Sequence, residues 1–292
     1  MSSLLFALAK WWIGRAAKPD PEALARVTHL RPAVIVTGGS SGIGFAIAGE
    51  FARRGNAVVL IARNAERLDV ARLALIASAQ SSAPPVIALA ADVTRENIVV
   101  DIEAALAQHG LYLDTLVNSA GVGLAGSFDS HSAAEIDRLL ALNIAALTRL
   151  TRSALPAMKA RARGGILNVS SLGGYVPGPN QAAYYASKAY VCSLTEALSS
   201  ECAGTGVRVT VVAPGPVETG FHAAMGTDDA LYRWLFPAVT PEHAARSAYN
   251  GYQMGRSVVV PGLISKALAV AVCVIPHWLT LPLLRVLLAP RR

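Results

Sequence analysis

From residue 32 onward the chain alternates short, unbroken apolar runs with longer helical stretches, and few folds accept that pattern. The runs are residues 33–37 (AVIVT), 57–62 (AVVLIA), 86–90, 115–118, 166–170, 207–212 and a last short one at 258–260. Most of them are continuous apolar runs, so each is expected to be a strand buried on both faces. The stretches between them, including 43–54 and 65–78, read as helices, and 81–85 (SSAPP) reads as a loop. Parallel strands need such crossover helices, whereas antiparallel strands need only tight turns. The expected fold class is therefore α/β, a doubly wound parallel sheet covered by helices on both faces, with right-handed crossovers.

The chain has 292 residues, 53% of them hydrophobic and 15% charged, which suffices for one deep core and excludes a disordered chain. The sequence divides into an apolar appendage at 1–31, a single domain at 32–262 and an apolar, basic tail at 263–292. Residues 4–14 (LLFALAKWWIG) are too few to span a bilayer, and no small-residue cleavage site follows them. Two readings stay open for this segment: an amphipathic anchor, or a helix docked on a partner subunit.

The net charge of +7 is spread along the chain, with no stripe of Lys and Arg interleaved with aromatics. That excludes nucleic acid as the expected partner and fits a phosphorylated ligand or an anionic membrane surface. Cys192, Cys202 and Cys273 give no disulfide framework and suit a reducing compartment, so a cytoplasmic location is expected, with the membrane periphery open. The six histidines are scattered, so no metal site is expected.

The first apolar run ends in Thr37-Gly38-Gly39-Ser40-Ser41-Gly42-Ile43-Gly44, where a helix begins. A glycine turn between strand and helix lets backbone N–H groups approach a pyrophosphate, which the helix N-terminus favours electrostatically. The second strand ends in Ala62-Arg63. An acidic residue there would accept from a free ribose 2′-hydroxyl; a guanidinium instead pairs with a 2′-phosphate. The expected cofactor is NADP(H) rather than NAD(H). Further on, Ala182–Tyr190 reads AAYYASKAY. On a helix Tyr184 and Lys188 share a face, while Tyr185 is turned away by about 100°. An adjacent ammonium, together with the positive charge of the oxidised nicotinamide, would favour the phenolate and lower the phenol pKa. Asn143 lies mid-helix among leucines, a placement unfavourable for a polar residue.

These motifs together resemble the short-chain dehydrogenase/reductase family in its compact single-domain branch, and the ending VVPG with an apolar, basic tail resembles its DltE-like subgroup. The resemblance implies a Rossmann-type fold and a catalytic group of Asn143, Ser171, Tyr184 and Lys188. Ser171, thirteen residues before Tyr184, would bond the substrate oxygen, with Ser170 as a structural neighbour. Tyr184 would exchange the proton, Lys188 would tune it and hold the nicotinamide ribose, and Asn143 would fix a proton-relaying water. The implied cofactor ligands are Gly38, Ser40, Ser41, Gly42, Ile43, Gly44 and Arg63, then Asp92 and Val93 at the adenine. Asn118, Ala120 and Gly121 follow, with Pro214, Gly215, Val217 and Thr219 along the nicotinamide. Homodimers or homotetramers are implied, built on the helices near 133–160 and 184–203.

Two loops, 172–183 and 221–239, are expected to wall the substrate. The second carries Phe221, Met225, Leu231, Tyr232, Trp234, Leu235 and Phe236, which suits a hydrophobic ketone or alcohol. Residues 267–284 carry no formal charge and are flanked by Lys266 and Arg285, but Pro276 and Pro282 disfavour a straight helix. A broken amphipathic pair is expected, either on a membrane or over the substrate entrance. The rival readings are a non-catalytic NADP(H)-binding regulator and a membrane-associated protein on the same fold.

Overall fold

A computed structural model describes residues 17–78, 84–227 and 230–289, so the segment 4–14 lies outside the described residues. The strands β1 (Arg31–Thr37), β2 (Ala57–Ala62), β3 (Val86–Ala90), β4 (Leu111–Asn118), β5 (Gly164–Val169), β6 (Val207–Val212) and β7 (Val258–Val259) form one sheet. Its order is β3-β2-β1-β4-β5-β6-β7, with every neighbouring pair parallel. The helices are α1 (Pro21–Ala25), α2 (Gly42–Ala52), α3 (Ala65–Ala77), α4 (Ile98–Gln108), α5 (Ala133–Leu140) and α6 (Leu147–Ala160). They continue with α7 (Ala182–Glu201), α8 (Phe221–Met225), α9 (Leu231–Leu235), α10 (Pro241–Gln253), α11 (Leu263–Val274) and α12 (His277–Leu287).

The unbroken apolar runs follow from cover on both faces. Along β1, Val34 and Val36 enter one core with Ile47, Phe51 and Tyr252, while Ala33 and Ile35 enter the other with Ile98, Leu150 and Met158. The chain runs outward from β1 to β2 and β3, then returns past β1 to build β4. That reversal opens a crevice at the carboxyl ends of β1 and β4, where open α/β sheets hold their ligands.

Four strands differ from their expected limits: β1 begins at Arg31 rather than 33, β7 ends at Val259 rather than 260, and β4 and β5 shift further. β4 begins at Leu111 rather than 115, because the register skips Asp114: Ala33 pairs with Leu113 and Val34 with Thr115. The bulged carboxylate meets Arg163 Nε at 2.9 Å, so the charge that breaks the apolar run is held outside the ladder. β5 starts earlier, at Gly164, and ends at Val169, leaving Ser170 in the loop. Upstream of β1, Ala17 N donates to Gly204 O and Asp20 N to Ala160 O, both at 2.8 Å, so this stretch ties to turns at the amino edge of the sheet. Among the described residues, no helix is long and apolar enough to cross a membrane. The expected break in the tail is present: α11 ends before Ile275-Pro276, and α12 carries Pro282 inside it.

Candidate active site

The crevice is the inner part of a cavity of about 1370 Å³. At one end lies the glycine turn. Gly38 has φ +66° and sits so close to Ala120 that an added Cβ would lie 2.9 Å from its backbone. A Cβ on Gly44 would stand 2.4 Å from Gly38 O, so only glycine lets the turn fold onto the first turn of α2. Ser41 caps α2 without a side-chain hydrogen bond, and the first turn has no acidic residue. Its N–H groups are thus left for an anion, and the cradle fits a pyrophosphate. Gly38, Ser40, Ser41, Gly42, Ile43 and Gly44 all line the cavity.

At the tip of β2, Arg63 and Arg67 both face this space. Asp92 and Val93 line it too. Burial pushes the Asp92 carboxyl up, but bonds from the Thr94 N–H and hydroxyl, with the Arg63 charge, leave it below its ordinary value. Asp92 Oδ1 accepts from Thr94 N at 2.9 Å and from Thr94 Oγ1 at 2.7 Å, which fixes the loop after β3.

At the other end, the exposed first turns of α7 meet the loop after β5. Tyr184 is 8% exposed and Lys188 7%. Lys188 Nζ lies 5.8 Å from the centre of the Tyr184 ring and donates to Val169 O at 3.0 Å. The Ser171 hydroxyl faces the same space and favours the ionised form of the Tyr184 phenol, and it accepts from Gly173 N at 3.1 Å. Ser170 turns away: its hydroxyl donates to Lys188 O at 2.8 Å and accepts from Cys192 Sγ. Pro214, Gly215, Val217 and Thr219 also line the cavity, and Thr219 reaches so near the cradle that a Cβ on Gly42 would lie 3.2 Å from its Cγ2. Their backbone is pinned to Val239, which accepts from Glu218 N and donates to Pro216 O.

The model of the short chain dehydrogenase family matches residues 32–230. The chain belongs to this family. An uncharacterised oxidoreductase of Staphylococcus epidermidis is 35% identical over 185 residues, covering 63% of this chain and 77% of its own. A solved short-chain dehydrogenase from Sphingobium yanoikuyae in complex with NADPH has a TM-score of 0.71 at 31% identity, covering 84% of this chain and 97% of its own. A 3-ketoacyl-(acyl-carrier-protein) reductase from Brucella melitensis, solved with NADH, has a TM-score of 0.68 at 29% identity, covering 80% and 97%.

Three of the expected site residues in this short-chain dehydrogenase have surroundings that spacing did not predict. Asn143 lies in a π-helical turn, Ala141–Ala146, between α5 and α6. Its Oδ1 accepts from Val122 N at 2.9 Å, and its Nδ2 donates to Val122 O at 2.8 Å and Ser187 Oγ at 3.0 Å. With both amide protons used on protein groups and no surface on the cavity, it clamps the loop after β4 against α7. Asn118 is also behind the cavity wall. Its Nδ2 donates to Thr151 Oγ1 and Asn168 Oδ1, and Asn168 in turn donates to Thr195, a buried polar row beneath the site. Ser119, Ala120 and Gly121 face the cavity in its place. Third, burial pushes the Tyr184 phenol well above its ordinary value, and the Ser171 hydroxyl offsets only part of this. Burial also pushes the Lys188 ammonium down, to about 8. Desolvation disfavours phenolate and ammonium alike, so burial opposes the lowering expected from the ammonium together with the oxidised nicotinamide's charge.

Other contacts at the site carry no signal in the sequence. Thr37 Oγ1 accepts from Ser119 N and Ala120 N, both at 3.1 Å, and so joins the first glycine turn to the second loop. His222 and Tyr232 face the cavity, with Tyr232 Oη 3.0 Å from His222 Nδ1. The lid is narrower than expected. Phe221, Met225, Tyr232 and Phe236 line the cavity, whereas Trp234 and Leu235 point outward. The tail supplies the rest of the wall: Leu268, Val272, Ile275, Leu284, Leu287 and Leu288 come from α11, α12 and their flanks. A Cβ on Gly215 would lie 2.6 Å from Ser265 Oγ, so that glycine admits the start of α11 against the nicotinamide-side segment.

Proposed function

We propose that the protein is an NADP(H)-dependent oxidoreductase that interconverts a hydrophobic ketone and a secondary alcohol. One observation carries the reading: the Tyr184 phenol, Ser171 hydroxyl and Lys188 ammonium converge in a cavity that runs from an anion cradle to an apolar vault. When bound, the reduced nicotinamide supplies the hydride that goes to the carbonyl carbon. Ser171 donates a hydrogen bond to the carbonyl oxygen and orients it. Tyr184 gives that oxygen its proton, or removes it in the reverse direction. Lys188 stabilises the phenolate left behind, and Asn143 acts through position, holding Val122 and α7 in place. The intact proton-transfer group disfavours the reading as a non-catalytic regulator; a panel of ketones that leaves NADPH unconsumed would favour it. Placement in the DltE-like subgroup is likewise our reading and rests on residues 258–262 and the tail.

The choice of NADP(H) rests on Arg63, with Arg67 beside it at the tip of β2. Replacing Arg63 by Ala is expected to raise the NADPH dissociation constant about tenfold, as for loss of one charge-assisted phosphate contact. The constant for NADH should stay about the same. Fluorescence titration checks this, and equal effects on the two cofactors reject it.

The substrate class rests on the aliphatic vault. Each methylene it buries contributes about 0.8 kcal/mol, or about fourfold in affinity. A series of straight-chain ketones should therefore show kcat/KM rising about fourfold per added carbon until the vault is filled. A flat series would reject the apolar assignment while leaving the reductase reading intact.

A further inference from the structure

The paired helices α11 and α12 are apolar on two faces, not one. Their inner faces line the cavity. Their outer faces expose Val270, Val274, Trp278, Leu279 and Val286, and neighbouring α9 adds Trp234. Trp234 is 71% exposed and Trp278 72%. A helix apolar all round is normally buried in a core or in lipid, and an apolar surface this broad marks an interaction site. We propose that this outer face docks on a lipid surface carrying anionic headgroups, with α11 and α12 lying in the interface.

Charge decides between lipid and a second copy of the chain. Residues 263–289 contain Lys266 and Arg285 and no acidic residue, and both basic residues are exposed. In a two-fold dimer the face would meet itself and set like charges together. An anionic headgroup layer instead attracts each basic side chain near the surface. Tryptophan is suited to the same depth, with its ring in the acyl boundary and its N–H toward the headgroups. The face also adjoins the cavity mouth: Ile275 and Leu283 both line the cavity and reach the surface. A docked molecule would thus open its vault toward the acyl layer. That delivery route rests on the apolar-substrate reading, but docking itself does not depend on turnover.

The test is cosedimentation of the full chain with vesicles of phosphatidylcholine alone, or of phosphatidylcholine and phosphatidylglycerol in equal parts. The wild type should bind the mixed vesicles, less so the neutral ones, and binding should fall as salt rises. The double variant Trp234→Glu/Trp278→Glu should lose about tenfold or more in partitioning. Both side chains lie outside the cavity, so the variant's turnover of a short, water-soluble ketone should match the wild type. Lys266→Glu/Arg285→Glu should abolish the preference for phosphatidylglycerol. Failure of the wild type to sediment overturns the proposal. So does unchanged binding of the tryptophan variant, including binding carried by residues 4–14. Self-association that the tryptophan variant abolishes, in place of vesicle binding, assigns the face to a second copy and also overturns it. None of these results bears on the reductase reading, which the ketone assay tests separately.

Discussion

Replacement of Tyr184 by phenylalanine is expected to lower ketone reduction by about a thousandfold, within the range for loss of a general acid. The protein should still bind NADPH and melt where the wild type does. The ring is retained and so is its packing against Phe221 and Tyr185; only the phenol oxygen goes. Tyr185→Phe is the control. Its ring packs over Gly173 and Gly178, and its hydroxyl has no role in the proposed proton transfer, so turnover should stay within about threefold, as for loss of at most one ordinary hydrogen bond. Pre-steady-state NADPH oxidation separates the chemical step from product release. A burst in Tyr184→Phe as fast as in the wild type would remove the phenol from the mechanism. Reciprocal behaviour of the two tyrosines would move the acid to position 185.

The sheet was legible because burial on both faces leaves one kind of residue along each strand. β2, β3 and β6 occupy the expected residues. Legibility failed at β4, where Asp114 interrupts the apolar run and its ion-pair partner, Arg163, lies far along the chain. The phosphate cradle was legible because close backbone approach demands glycine at fixed spacing. Asn143 stood out as a polar residue among leucines, but its side-chain hydrogen-bond partners did not. A π-helical turn shifts where a side chain points, and periodicity assumes a uniform helix. The burial of Tyr184 was not legible for a different reason. Spacing places an ammonium beside a phenol, whereas burial, which sets the sign of the net shift, depends on the lid and tail folding over both. His222 and Tyr232 come together only when α8 and α9 fold against each other, a contact between short helices with no periodic signature.

Lys188→Met should separate function from stability. Loss of the ammonium is expected to lower turnover by about a thousandfold, similar to loss of the acid it supports. Its effect on stability should depend on pH, with a sign fixed by burial. In the folded, cofactor-free protein burial holds the Lys188 pKa down at about 8, against 10.5 for an ordinary lysine. Between those values the unfolded chain keeps a proton that the folded chain has released. The unfolded state then binds more protons, so stability rises with pH across this window. Below about pH 8 both states are protonated, and the folded state bears the full cost of a buried charge. The stability of wild type relative to Lys188→Met should therefore increase by roughly 3 kcal/mol between pH 7 and pH 10.5. The hydrogen bond to Val169 O is lost in the variant, but this changes the level of the curve far more than its slope. Groups common to both proteins cancel in the difference. Urea unfolding at several pH values measures it. Parallel curves would mean that Lys188 keeps its proton in the folded state, reached by solvent or by a countercharge. The claim that desolvation opposes the ammonium would then fail, even if turnover were lost as expected.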